Sequence, residues 1–325
     1  MRTAAICFLL LLLTLTSCSS APDGTHTDAL AAYPEERPFA ESRFITVSGV
    51  RLHYRTWAPE NRTPVGKIML IHGLGASTYT FRCTAPLLAE YGLAVVAVDL
   101  PSFGFSDPGI HFVHTLANRS DLLWTFADRL DTEQNEFAPA EEWYLLGHSV
   151  GGQVASRMAL DRPTRTLGLV ALDSELSNPD RTGRMMWFPP VRWGLRAWVV
   201  NSLFTWEGVT ELLQDAYGRP PTDEEIAGYL APLQRDGMDR GYVQFVRTVG
   251  EVDLPLEEIS LPVLLVWGSE DTWVDLSLGA AAHARLPDSD LVVVPGAGHL
   301  PTDTHPDRLH EEITDWLDYQ MNTRQ

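Results

Sequence analysis

From residue 43 onward, short apolar runs alternate with amphipathic stretches. Arg43–Ser48 and Arg51–Trp57 flank Gly49-Val50 and predict an opening antiparallel hairpin. Lys67–Ile71 reads as a buried strand that ends in His72-Gly73-Leu74-Gly75, and a helix is predicted over Thr78–Tyr91. A second buried strand, Leu93–Val98, runs into Asp99-Leu100-Pro101, and helix follows over Leu116–Leu130. Glu142–Leu146 and Leu167–Leu172 continue the rhythm, with helix material at Gln153–Leu160 between them. Near-continuous apolar strands separated by helices imply a parallel sheet buried on both faces.

The alternation breaks after Asp173. Residues 175–255 carry prolines, tryptophans and helical stretches but no clear strand. Strands return at Leu261–Trp267 and Asp290–Pro295, and a last helix is predicted from Pro306 to about Tyr319. An insertion rich in Met and Trp between two sheet strands reads as a helical cap over a pocket. Most of its aromatics belong to the cap's own core. Trp187, Phe188, Trp193 and Trp206 are the candidates to face a substrate.

Hydrophobic residues make up 45% of the 325, enough for one large α/β domain with an insertion. The net charge of -19 repels nucleic acid and anionic head groups and argues against both as substrates. Of the three cysteines, only Cys83 lies in the body of the chain, so no disulfide framework is available. No His-Glu-x-x-His or Cys-x-x-Cys spacing supports a metal site, and no cofactor motif appears. Nothing in the sequence specifies an oligomeric state.

The N-terminus reads as a targeting segment. Arg2 precedes an apolar run, Ala4–Leu15, too short to span a bilayer, which needs ~20 residues. Leu15-Thr16-Ser17-Cys18 resembles the lipobox of bacterial lipoproteins. That resemblance implies cleavage before Cys18, lipidation of Cys18, and a membrane-anchored protein of the bacterial cell envelope facing outside the cytoplasm. The expected division is a signal peptide over 1–17, a loose tether over 18–42, core over 43–174, cap over 175–255 and core again over 256–325.

The candidate chemistry centres on Gly147-His148-Ser149-Val150-Gly151, a Gly-x-Ser-x-Gly stretch between a predicted strand and a predicted helix. A serine on such a turn stands clear of the sheet, and small neighbours relieve the crowding. A serine hydroxyl needs a base to take its proton and an acid to orient that base. Such groups belong on loops at the carboxyl ends of strands. Gly268-Ser269-Glu270-Asp271 and Gly296-Ala297-Gly298-His299 occupy two such places.

Together these motifs, with Gly104-x-Ser106, resemble the α/β-hydrolase superfamily over residues 43 to about 320. The resemblance implies an α/β-hydrolase fold: a mostly parallel, doubly wound sheet with an inserted helical cap. It implies Ser149 as nucleophile, His299 as general base and then acid, Asp271 as orienting carboxylate, and the Leu74 and Val150 N–H groups as oxyanion hole. Among other acids, Glu270 would point differently, Asp275 lies farther into the loop, and Asp173 ends a neighbouring strand where some members keep their acid. His72 is expected to support the oxyanion loop and His148 to pack beside the serine. His305 and His310 read as surface residues of the last helix, and His53 and His114 show no partner pattern.

Serine at this position, where haloalkane dehalogenases and epoxide hydrolases of the superfamily carry aspartate, suits acyl transfer to water. The expected substrate is a small carboxylic ester. Hydrolysis of a carbon–carbon bond in a diketone is the alternative chemistry, and a non-catalytic binding lipoprotein the alternative class.

Overall fold

The computed structural model describes residues 27–133, 141–178, 194, 196–247 and 252–323. Cys18, Trp187, Phe188 and Trp193 lie outside these residues. The main sheet contains β1 (Ser42–Val47), β2 (Val50–Trp57), β3 (Gly66–Ile71), β4 (Leu93–Val98), β5 (Trp143–His148) and β6 (Thr166–Leu172). After β6 comes a two-stranded pair, β7 (Ser177–Asn178) with β8 (Val252–Asp253), and the main sheet resumes with β9 (Val263–Gly268) and β10 (Ser289–Val294). The order across the sheet is β1-β2-β4-β3-β5-β6-β9-β10. The β1/β2 and β2/β4 pairs are antiparallel, and every other pair is parallel.

Alternation along the strands explains the apolar runs. Met69, Ile71, Val96 and Leu145 point into one apolar cluster; Ile68, Leu70, Val95 and Leu146 point into another. Both faces are covered, so neither parity can be polar. Helices α1 (Thr27–Ala31), α2 (Thr84–Tyr91), α3 (Leu116–Glu133) and α4 (Val150–Asp161) belong to the first part of the chain. The inserted stretch contributes α5 (Trp206–Tyr217), α6 (Asp223–Leu233) and α7 (Met238–Val246). The last part adds α8 (Leu276–His283), α9 (Pro301–Thr304) and α10 (Pro306–Thr323). Leu123, Trp124 and Phe126 of α3 and Val154 and Met158 of α4 fill the first cluster, which continues into the cap through Leu213, Leu230 and Phe245. Leu88 of α2 and Leu309, Ile313 and Leu317 of α10 fill the second.

The fold differs from the sequence reading in three places. The inserted region does contain strand, the short β7/β8 pair, too brief to give a period-2 signal. The helix expected over Thr78–Tyr91 is divided: a 3₁₀ turn spans Thr78–Phe81, and α2 begins only at Thr84. Ser77 caps that turn, and the Thr78 N–H at its start goes to the Asp99 carboxylate at 2.6 Å. The described part of the expected tether is packed rather than loose. Tyr33 and Phe39 lie edge-on at 5.6 Å, Phe39 stacks on Tyr79 at 6.1 Å, and Arg55 sits 4.2 Å over Phe39.

β3 lies between β4 and β5, so the chain leaves β3 to one side and crosses back to the other. Open α/β sheets place ligands at such a switch point, outside the carboxyl ends of the strands. The loops that follow β3 and β5 carry His72–Gly75 and Ser149.

Candidate active site

Ser149 sits between β5 and α4 with φ 53° and ψ -122°. This is a region costly for a non-glycine residue, by about 1–3 kcal/mol. The turn closes because its neighbours lack side chains. A Cβ on Gly147 would come 2.3 Å from the Gly151 carbonyl oxygen, and one on Gly151 would come 2.1 Å from that of Ile71. The strained residue is held by its backbone. Its N–H donates to the Leu172 carbonyl at 2.9 Å, and its carbonyl accepts from Gly152 N–H at 2.9 Å and from the Ser174 hydroxyl at 2.5 Å.

The loops after β9 and β10 bring Asp271 and His299 together. His299 Nδ1 lies 2.8 Å from Asp271 Oδ2, with both side chains buried. The other carboxylate oxygen, Oδ1, accepts the N–H groups of Trp273 at 2.8 Å and Val274 at 3.0 Å. Burial alone would raise the Asp271 carboxyl's pKa. The His299 hydrogen bond and charge, with the Val274 and Trp273 N–H groups, outweigh it and hold the carboxyl below its ordinary value. Glycine again makes the approach feasible: a Cβ on Gly268 would come 2.3 Å from the Gly298 carbonyl, and one on Gly298 would come 2.3 Å from the Ala216 carbonyl of α5.

His148 joins this pair to the elbow. Its Nε2 donates to the His299 carbonyl at 2.7 Å, which fixes the tautomer. Burial, then the His299 charge, pushes its pKa down to about 3, so the ring stays neutral. No hydrogen bond joins the Ser149 hydroxyl to His299 among the described residues. In serine enzymes such a bond is often completed only when substrate fills the site.

On the other side of Ser149, His72 shapes the loop after β3. Its Nε2 accepts the Leu100 N–H at 3.0 Å, so its Nδ1–H donates to the Gly73 carbonyl at 2.8 Å. Burial lowers its pKa and keeps it neutral. Gly73 passes so close to the elbow that a Cβ there would lie 3.0 Å from that of Ser149. Leu74 follows, and Val150 opens α4. Among the described residues neither of their N–H groups has an acceptor.

Of the competing acids, Glu270 and Asp275 are exposed, while Asp173 lies beside Asp271. Asp275 caps α8 through the Ser277 N–H at 2.8 Å, and Glu270 donates its backbone N–H to Ala297. Asp173 is fully buried at φ 45°, and its Oδ1 accepts the Gly268 N–H at 2.7 Å. Burial, reinforced by the adjacent Asp271 charge, raises its pKa well above the usual carboxylate range. Trp206 opens α5 and packs, half-buried, on the larger apolar cluster.

Several functional-looking residues prove structural, and some were missed in the sequence. His53, without a partner pattern along the chain, is fully buried, with Nδ1 2.7 Å from Asp99 Oδ2 and Nε2 2.8 Å from Ser42 Oγ. Asp99 also accepts from Phe105 N–H at 2.7 Å, and a Cβ on Gly104 would fall 1.9 Å from its Oδ2. The Asp99 to Ser106 motif therefore folds a loop. His114 is likewise buried, bonded to the Ser102 hydroxyl at 3.0 Å. His305 and His310 are half-buried rather than surface residues. A further unforeseen group docks the cap. Buried Asp303, four residues beyond His299, accepts from Tyr217 of α5 at 2.5 Å, Tyr229 of α6 at 2.7 Å and Arg82 at 2.8 Å. Only the fold brings these residues together.

The model of the alpha/beta hydrolase family matches residues 68–312. The chain belongs to the α/β-hydrolase family. This hydrolase is 30% identical over 284 residues to the hydrolase YugF of Bacillus subtilis (strain 168), covering 85% of the chain and 97% of that relative. It is 25% identical to the human (Homo sapiens) monoglyceride lipase over 299 residues, 89% of the chain and 94% of the lipase. It is 28% identical to a 2-hydroxy-6-oxononadienedioate/2-hydroxy-6-oxononatrienedioate hydrolase of Paraburkholderia phymatum over 327 residues, 90% and 98% of the two chains. Among solved structures, a bacterial membrane phospholipase A shares the fold with a TM-score of 0.72 at 23% identity, covering 99% of this chain and 100% of that one. The mostly parallel eight-stranded sheet and its helices are those of the α/β-hydrolase fold.

Proposed function

We propose that the protein is a serine hydrolase that cleaves small carboxylic esters through an acyl-enzyme. The observation that carries this reading is the strained Ser149 turn joined through His148 to the His299–Asp271 pair, with Leu74 and Val150 N–H groups beside it. His299 takes the Ser149 proton on Nε2 while Ser149 Oγ bonds to the substrate's carbonyl carbon. Asp271 holds the ring through Nδ1 and stabilises the imidazolium. Negative charge develops on the carbonyl oxygen, towards the Leu74 and Val150 N–H groups; one such donor is commonly worth ~100- to 1000-fold in rate. Collapse expels the alcohol, which receives the proton from His299. A water activated by His299 then releases the acid.

Relatives named as lipase and diene-dioate hydrolase divide the chemistry between ester and carbon–carbon bonds. The ester reading rests on serine's fit to acyl transfer, with no second chemical device needed. A panel of p-nitrophenyl esters from acetyl to dodecanoyl, run beside a vinylogous diketone, tests it. Turnover of short esters well above that of the diketone is expected; diketone cleavage with inert esters would overturn the ester reading in favour of the second chemistry.

We also propose that the site is held at a bacterial membrane by lipid on Cys18, supported by the apolar run and Leu15-Thr16-Ser17-Cys18. Mass spectrometry of the mature protein should find Cys18 first and diacylated. An unmodified or differently cut N-terminus would sink this.

A further inference from the structure

Trp273 is a large apolar residue left 42% exposed, against the side of a histidine that is only 4% exposed. Its indole lies 4.9 Å from the His299 ring, centroid to centroid, at 35°, closer to stacked than to edge-on. Its backbone N–H is one of the two that hold Asp271 Oδ1. Its indole N–H donates to Asp215 Oδ2 of cap helix α5 at 2.5 Å. One residue therefore touches the orienting acid, the base and the cap.

We propose that Trp273 is a positioning residue that couples the docking of the cap to the setting of His299. The inference rests on the Ser149–His299–Asp271 reading. The turn Asp271-Thr272-Trp273-Val274 closes on the carboxylate, so the position of the indole is fixed relative to the acid that orients His299. The indole lies across the imidazole ring and limits its swing about the Nδ1–Asp271 bond. When Ser149 gives up its proton, the O–H bond breaks, an N–H bond forms on His299 Nε2, and the ring becomes a cation. A neighbouring indole face attracts a cation more than it attracts the neutral ring, so the contact strengthens as the barrier is climbed. The bond to Asp215 makes this arrangement depend on α5. That helix is independently seated against the base's loop through Tyr217 and Asp303 and by the close approach of Ala216 to Gly298.

The test compares kcat and KM for a short-chain p-nitrophenyl ester in Trp273→Ala, Trp273→Phe, Asp215→Ala and the Trp273→Phe/Asp215→Ala pair. Trp273→Ala should lower kcat about 10- to 30-fold with KM within about twofold, because the contact matters most when the ring is charged. Trp273→Phe keeps a ring face and should recover to within about threefold of wild type. Asp215→Ala should lower kcat about threefold in the wild-type background and not at all in the Trp273→Phe background, where the ring has no N–H to tether. The proposal is overturned if Trp273→Ala leaves kcat within twofold, if Trp273→Phe rescues no better than Trp273→Ala, or if Asp215→Ala acts equally in both backgrounds. Should Trp273→Ala fail to fold, the cycle of Trp273→Phe with Asp215→Ala decides alone. Full activity in Ser149→Ala would instead defeat the underlying triad reading, whatever Trp273 does.

Discussion

Ser149→Ala is expected to lower kcat on an ester about 10⁶-fold and to abolish labelling by a fluorophosphonate probe, with the fold intact. The hydroxyl makes no hydrogen bond to another side chain among the described residues, so its removal orphans no buried partner. The Asp271–His299 bond and the Leu74 and Val150 N–H groups survive, and residual rate over water is expected from them alone. Ser149→Gly should be equally inactive yet melt at or above wild type. At φ 53° and ψ -122° glycine relieves strain that serine bears, part of about 1–3 kcal/mol. The stability test and the activity test are independent. A labelled, active Ser149→Ala protein would remove Ser149 from the chemistry. A Ser149→Gly protein that melts well below wild type would show that the turn is not strained. The labelling result also separates the enzyme from a binding protein of the same fold.

The elbow was readable because each of its parts is local. β5 is a run of apolar residues, the glycines stand at fixed offsets, and helix-forming residues follow. Asp271 and His299 were readable for the same reason, since each lies a few residues beyond a strongly apolar strand. What the sequence concealed is mostly non-local. Asp303 meets Arg82 across 221 positions and Tyr229 across 74, and no period or spacing connects them. His53 and Asp99 are paired only because β2 lies antiparallel to β4. Trp273 carries no local signal, because its neighbours His299 and Asp215 come from two other elements. The division of the expected helix belongs with these: the Asp99 carboxylate, 21 positions away, takes the Thr78 N–H that opens the 3₁₀ turn. Burial could be read from composition, but the partners of buried polar groups could not.

The same distinction separates the two candidate acids. Asp271→Asn is expected to lower kcat/KM about 10⁴-fold, because an amide neither carries the charge that stabilises the His299 imidazolium nor fixes its tautomer. Asp173→Asn is expected to stay within a few fold of wild type. Asp173 is buried, and burial and the adjacent Asp271 push its carboxyl well above its ordinary value, which favours the uncharged form that an amide resembles. An amide of the same shape still offers an oxygen to the Gly268 N–H. The pH dependence of stability should run in opposite directions for the two. Asp271's carboxyl is depressed in the fold, so it contributes stability above its unfolded pKa of about 3.9 that is lost as pH falls through the lower folded value. Asp271→Asn should therefore lose most stability near neutrality and least in acid. Asp173's carboxyl is raised, so its contribution is fullest below about pH 3.9 and declines as pH rises towards the folded value. Asp173→Asn should then gain stability relative to wild type near neutrality, with the difference closing in acid. Thermal melts of the three proteins from about pH 2.5 to about pH 8, beside ester kinetics at one pH, decide the matter. Equal activity losses in both variants, or an active Asp271→Asn, would move the orienting role away from Asp271.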